Sequence, residues 1–215
     1  MKTYPSIIGP TRLAPHLPCV AFYKYDGSNL RFEWNPKTGW AKYGTRWRLF
    51  DHTDTDFGCA VEIFHRQYAN DIEHIFRKNK DYHGIQRATV YCEFYGPSSI
   101  GGWHDPNEAK QLMLLDVDVY KRGLIAPREF IKNFSHLESA RIIYEGNFGK
   151  QLVEDVRNDK YPVKEGIVAK GWHKNKQWMV KVKTKSWLIE IREKSKNNPA
   201  LRQVLEDNIR EQDER

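Results

Sequence analysis

Cysteine is scarce: Cys19, Cys59 and Cys92 are the whole complement of a 215-residue chain, too far apart for a CxxC zinc or redox pair. Their odd number argues against a disulfide framework and points to a reducing, cytoplasmic setting. Long hydrophobic runs are missing as well. No window approaches the roughly 20 apolar residues of a spanning helix, and the opening MKTYPSIIGPTRLAP has no apolar run of signal-peptide length, so no membrane is expected. The eight histidines show no HxxxH or HxH spacing, so they are read as structural or surface groups. Without internal repeats, low-complexity tracts or a long linker, one principal domain is the starting expectation.

What is present is charge and aromatics. Hydrophobic residues make up 40% of the chain and aromatics 13%, which suits a folded core. A mean hydropathy of -0.75 places many charged groups on its surface. The formal net charge of +7 favours contact with polyanions, because lysine and arginine release condensed counterions when they meet phosphates.

Four prolines, Pro5, Pro10, Pro15 and Pro18, make the first segment an extended lead-in. From Cys19, CVAFYKY reads as a buried strand. Leu30, Phe32 and Trp34 alternate with Arg31 and Glu33 as a half-buried one, and NPKTG returns the chain through Trp40 to Gly44 as a hairpin. Phe64, Tyr68, Ile72, Ile75 and Phe76 recur at helical spacing, predicting a helix from about Ala60 to Lys78. Further strands are expected at Thr89 to Phe94 and Leu112 to Tyr120, with helices opening at Pro127 and running from Lys150 to Arg157. GIVAKGW and QWMVKVKT flank HKNK as a hairpin in which Met179, Lys181 and Lys183 share one face. After Trp187 the chain turns helical and charged, with Asn198 and Pro199 placed to start ALRQVLEDNI.

The segment FYKYDGSNLRF sets Lys24 at the end of an apolar strand, with Asp26 two residues on and Gly27 permitting a tight turn. An amine is a nucleophile only when neutral, and partial burial beside other cations moves a lysine toward that state. Alone, KxDG is equally a surface lysine before an ordinary DG turn. It is followed in order by EFYG at Glu93 to Gly96, KEGIVAKG at Lys164 to Gly171 and MVKVKT at Met179 to Thr184.

This ordered set resembles the motif series of the covalent lysine nucleotidyltransferases, the superfamily of ATP-dependent DNA ligases, RNA ligases and mRNA capping enzymes. The resemblance runs from about Phe22 to Lys185. Within the superfamily, KYDGSN is similar to the double-strand-sealing RNA ligases, whose nucleophile motif carries an Asn five residues after the Lys, here Asn29. TRW at Thr45 to Trp47 is similar to the basic element after the first hairpin of RNA ligases.

The resemblance implies an α+β nucleotidyltransferase domain over residues 1–185, with antiparallel sheets, flanking helices and a nucleotide groove between the sheets. A charged helical tail over 186–215 would follow, too short for the OB-fold domain of DNA ligases and capping enzymes. It implies Lys24 as covalent nucleophile and Lys181 and Lys183 as catalytic cations holding the triphosphate. Tyr23, Asp26, Gly27, Asn29, Arg46, Glu93 and Glu165 would contact the nucleotide, Glu93 through a ribose hydroxyl. Glu165, with Glu93, would sit near a Mg²⁺ or Mn²⁺ ion, Glu165 through water in the manner of hydrated Mg²⁺. The base-stacking aromatic of the family is replaced by Leu112 or Met113, or supplied by Trp103. The implied activity is ATP-dependent RNA ligation, joining 5′-phosphate and 3′-hydroxyl ends in a nicked duplex containing RNA, by a monomer, with a phage source suggested by analogy to compact single-domain ligases. The alternatives are a minimal DNA ligase, a capping-type guanylyltransferase and an inactive nucleic-acid-binding module.

Overall fold

The computed structural model describes the chain apart from residues 11–15, 98–106, 197, 199–201, 204, 207–208 and 210–215. Trp103 and Pro199 therefore lie outside the described residues. In chain order the strands are β1 (Leu17–Tyr23), β2 (Ser28–Asn35), β3 (Gly39–Gly44), β4 (Leu49–Phe50), β5 (Ala88–Tyr95), β6 (Gln111–Val119), β7 (Gly123–Leu124), β8 (Ile142–Phe148), β9 (Gly166–His173) and β10 (Lys176–Lys183). The helices are α1 (Gly58–Phe64), α2 (Asn70–Lys78), α3 (Pro127–Phe134), α4 (Lys150–Arg157) and α5 (Lys185–Ser195). The chain falls into two compact units. One combines Met1–Pro5 with Asp26–Ser139, the other Ser6–Tyr25 with Ala140–Arg215.

The first unit is a six-stranded antiparallel sheet in the order β4-β3-β2-β5-β6-β7. Leu30, Phe32 and Trp34 face the helices, where Phe32 stacks on Phe64 with ring centroids 3.9 Å apart and Trp34 meets Phe76 at 5.2 Å. The expected long helix is present but is not α-helical throughout: His65–Ala69 is a π-helical segment joining α1 to α2. The reason lies in the spacing. Ala60, Phe64, Tyr68, Ile72 and Phe76 are all buried at strict four-residue intervals, and in an unbroken α-helix each step of four would rotate the stripe by about 40°. An underwound segment brings it back toward the sheet.

The other face of β2 corrects the expected alternation. Arg31 and Glu33 are buried rather than solvated, because the Met1–Pro5 segment lies against them. Arg31 Nη1 donates to the Met1 carbonyl at 2.8 Å, Tyr91 Oη donates to the Lys2 carbonyl at 3.1 Å, and the Tyr4 and Tyr91 rings are 4.8 Å apart.

The second unit is a four-stranded antiparallel sheet, β10-β9-β1-β8. Ala21, Ile167, Ala169, Val180 and Val182 turn one face to Leu152 and Val156 of α4, forming its core. The hairpin expected at HKNK has a two-residue loop, Lys174–Asn175, with φ of 48° and 60°. Two positive φ values in succession give the turn whose twist matches that of the strands. Strand β8 was not foreseen: it is an edge strand, exposed along most of its length, so it has no apolar alternation to read. Helix α5 begins directly after β10 and buries Trp187 and Ile191, so the residues just past 185 pack as part of this unit.

Candidate active site

Lys24 follows the last residue of β1, and its backbone N–H donates to the Gly166 carbonyl at 3.0 Å, extending the β1–β9 pairing by one position. Gly166 is in turn paired with Lys183 on β10. Lys24, Gly166 and Lys183 thus form a row across three strands, with no side chain at its centre. The glycine is required: its φ is +147°, and a Cβ there would stand 2.0 Å from the Val182 carbonyl oxygen and 2.9 Å from Lys183 Cα.

Both lysines reach one carboxylate. Lys24 Nζ donates to Glu165 Oε2 at 2.9 Å and Lys183 Nζ to Glu165 Oε1 at 2.5 Å. Glu165 is held by its own backbone, whose carbonyl accepts from Thr184 N at 3.1 Å, while Thr184 Oγ1 donates to the Lys164 carbonyl at 2.7 Å. The Lys183 and Glu165 side chains are 4% and 3% exposed, whereas that of Lys24 keeps 20%. Lys24 is therefore the amine of the pair that a substrate can reach.

The electrostatics follow from one negative charge serving two positive ones. Burial alone would raise the Glu165 carboxyl, but the Lys183 and Lys24 ammoniums outweigh it and hold the group below the usual range. Burial pushes the Lys183 amine down to about 8. Glu165 pulls it upward, and the charges on Lys24 and Lys181 repel it downward again. The Lys183 ammonium also stands 3.8 Å from the centre of the Trp187 ring. Lys181 lies on the same face, opposite Val168, two residues before Lys183.

Tyr23 behaves differently. It pairs with Ile167 of the core face, so its ring points away from Lys24, and its hydroxyl accepts from Lys164 N at 3.3 Å. It supports the Glu165 segment instead of sharing Lys24's face. Lys170, which motif reading passed over, does share that face: it is buried, with its ammonium 4.7 Å from the Phe22 ring centre. A charged residue inside the apolar run GIVAKGW was the signal available for it.

The KYDGSN run crosses from one unit to the other, with Lys24 in the second and Asp26, Gly27 and Asn29 in the first. There Gly27 approaches β5 closely, a Cβ at this position being only 2.3 Å from the Phe94 carbonyl oxygen. Asn29 is directly opposite Glu93 in the β2–β5 register, and its buried Nδ2 has no acceptor among the described residues. An amide donor so placed beside a carboxylate suits a polar ligand. Glu93 is opposite Met113 on β6, whereas Leu112 is opposite Phe94 on the helix side. Of the two aliphatic candidates for base contact, Met113 is the one that shares Glu93's face. Arg46 sits half-buried in the Thr45–Arg48 turn, and Arg48 is committed to Asp54 and Asp56.

Among the described residues no three His, Cys, Asp or Glu side chains come together as a metal cage. Glu165 has both oxygens on lysines. This donor set does not fit a metal held by the protein; it fits one carried by phosphates and water.

Two antiparallel sheets with few helices make a fold shared with RNA ligases of known structure. Among solved structures, the chain is similar to a Naegleria gruberi RNA ligase variant, with 12% identity and a TM-score of 0.65 over 90% of this chain and 58% of that one. It is similar to another variant of that ligase, with AMP and Mn, at 12% identity and a TM-score of 0.62 over 88% and 58%. An archaeal ATP-dependent RNA ligase matches at 15% identity and a TM-score of 0.60, over 90% and 50%. The chain thus spans little more than half the length of these ligases. No family model matches the sequence, and no curated protein matches it.

Proposed function

We propose that this protein is an ATP-dependent RNA ligase that works through a lysyl-AMP intermediate on Lys24. The observation that carries the reading is the sharing of one buried carboxylate, Glu165, by Lys24 and Lys183. Glu165 neutralises one ammonium, leaving a surplus positive charge in a desolvated site, and the pair sheds a proton more easily than an ordinary lysine. Lys24, the more exposed partner, is the amine that can meet a substrate.

In the first transfer the Lys24 amine attacks the α-phosphorus of ATP, an N–P bond forms, the bond to the bridging oxygen breaks, and pyrophosphate leaves while the amine gives up a proton. Lys181 and Lys183 stabilise the charge gathering on the phosphoryl oxygens. In the second, an oxygen of a 5′-phosphate attacks the AMP phosphorus and Lys24 departs as the amine, regaining a proton. In the third, a 3′-hydroxyl attacks the 5′-phosphate, a phosphodiester forms and AMP leaves. Glu93 is assigned a ribose hydroxyl, and Asn29 and Arg46 the phosphate of the activated end or the nucleotide sugar. Asp26 and Gly27 are the proposed nucleotide contacts that follow Lys24 in its motif, and Tyr23 supports the Glu165 segment through its hydroxyl. A divalent ion carried by the phosphates would neutralise them, its water meeting Glu165; Glu93 is the second carboxylate that the resemblance assigns to it.

Incubation with α-labelled ATP and a divalent ion, then denaturing electrophoresis, tests the reading. Wild type should carry the label and Lys24→Ala should not; an unlabelled, folded wild type would sink it. Preference for RNA is supported by the RNA ligases among the structural neighbours and by Asn29 in the nucleophile motif. Nicked duplexes with RNA or DNA on the 3′-hydroxyl side test it, and equal sealing of all-DNA nicks would favour the minimal DNA ligase.

A further inference from the structure

Trp47 is 87% exposed, whereas Trp34 and Trp187 are almost fully buried. A bare indole leaves a large apolar area in water, and no requirement of the fold puts it there. Nor is it loosely held. Thr45 N donates to the Arg48 carbonyl at 2.9 Å, and Thr45 Oγ1 accepts from Trp47 N at 3.2 Å and from Arg48 N at 3.1 Å. Arg48 anchors the far side through Asp54 and Asp56, and its guanidinium lies 5.5 Å from the Phe57 ring centre. The turn is closed at its base and tied down at one flank, so the ring is presented to solvent from a fixed frame.

The register says where that frame stands in its sheet. Gly44, the last residue of β3, is opposite Arg31 on β2, and two residues earlier on β2 Asn29 is opposite Glu93. The Thr45–Arg48 turn therefore leaves the sheet at the same end as Asn29 and Glu93. Leu49, also well exposed, extends the apolar contact, and Arg46 precedes the ring in a chain of net charge +7, Arg48 being held by Asp54 and Asp56.

A single flat ring on a polar turn beside Arg46 is too small for the apolar core of a protein interface and matches one nucleobase with a phosphate beside it. We infer that Trp47 is a stacking platform for a base of the nucleic-acid strand, exposed where stacking is interrupted at an end or a nick. This rests on the ligase reading for the identity of the substrate, but not on the chemistry at Lys24.

The test uses the full chain with Trp47→Ala and Trp47→Phe, and a fluorescently labelled 5′-phosphorylated RNA oligonucleotide read by anisotropy. Stacking on an aromatic ring predicts that Trp47→Ala weakens binding by about 5- to 100-fold. Trp47→Phe, which keeps a ring, should recover most of the loss. Labelling of Lys24 by ATP should be unchanged in Trp47→Phe, which keeps a ring beside Arg46. The inference is overturned if the alanine variant binds like wild type, if phenylalanine does no better than alanine, or if wild type does not bind the oligonucleotide. It is also overturned if polyphosphate, which has charge but no bases, loses as much affinity as RNA. Failure of wild type to form lysyl-AMP would remove the ligase reading, while the anisotropy would still decide the role of Trp47.

Discussion

Glu165→Gln removes the negative charge that two buried or half-buried ammoniums share. In wild type, Lys183 is 4% exposed with its Nζ 2.5 Å from Glu165 Oε1, and Lys24 donates to the other oxygen at 2.9 Å. Removing one partner of a buried ion pair leaves an uncompensated charge, a loss of about 3–5 kcal/mol. For a chain of this size that corresponds to a fall in Tm of roughly 10 °C. The cost belongs to the orphaned ammonium, so it should largely vanish when Lys183 is also made neutral. Lys183→Met preserves length and the contact with Trp187, whose ring centre is 3.8 Å from the wild-type amine. Urea unfolding of wild type, Glu165→Gln, Lys183→Met and the double variant measures this as a double-mutant cycle. The double variant should recover at least 2 kcal/mol of the roughly 3–5 kcal/mol lost by Glu165→Gln. Labelling by ATP should be lost in the double variant despite its stability. If Glu165→Gln unfolds within about 0.5 kcal/mol of wild type, or if the two losses simply add, the shared carboxylate is not what holds the lysines together.

Further outcomes follow from the same geometry. Gly166→Ala should lower stability by about 2–4 kcal/mol and suppress lysyl-AMP formation, because its Cβ would meet the β10 backbone at 2.0 Å; denaturant unfolding and ATP labelling check both, and an unchanged protein would refute it. Thr184→Val should cost about 2 kcal/mol in urea, since it removes the cap of α5 and leaves the Lys164 carbonyl without its donor. Burial lowers the Lys183 amine to about 8 in the folded protein, against about 10.4 for a free lysine. The unfolded chain therefore holds more protons between those values, so stability in urea should rise with pH from about 8 to about 10, and Lys183→Met should abolish that rise. A wild-type stability that is flat or falls over that window would refute the burial of this amine.

Much of the site was legible in the chain because its residues occupy short, ordered motifs. Strand alternation already put Lys181 and Lys183 on one face, and both hairpins flanking the motifs, Asn35–Gly39 and Lys174–Asn175, announce themselves through turn residues. Position within a strand is local information, carried by a period of two. Tyr23 and Lys24 are adjacent in sequence and so lie on opposite faces of the sheet, which motif position alone does not tell. Strand β8 escaped because an edge strand need not alternate.

Sequence by itself determined which residue types are available: a strand-end lysine, a glutamate before a glycine, two cations spaced by two, and a basic chain with few cysteines. Only the tertiary structure decided that Lys24 and Lys183, far apart in sequence, meet on the two oxygens of Glu165, and that Arg31 and Glu33 are covered by the Met1–Pro5 segment. It also decided that the four-residue stripe from Ala60 to Phe76 is accommodated by a π-helical segment. The physical reason is common to all three. Burial and charge pairing depend on which distant elements come into register, and a lysine's charge state is set by that neighbourhood and not by the residues beside it in the chain.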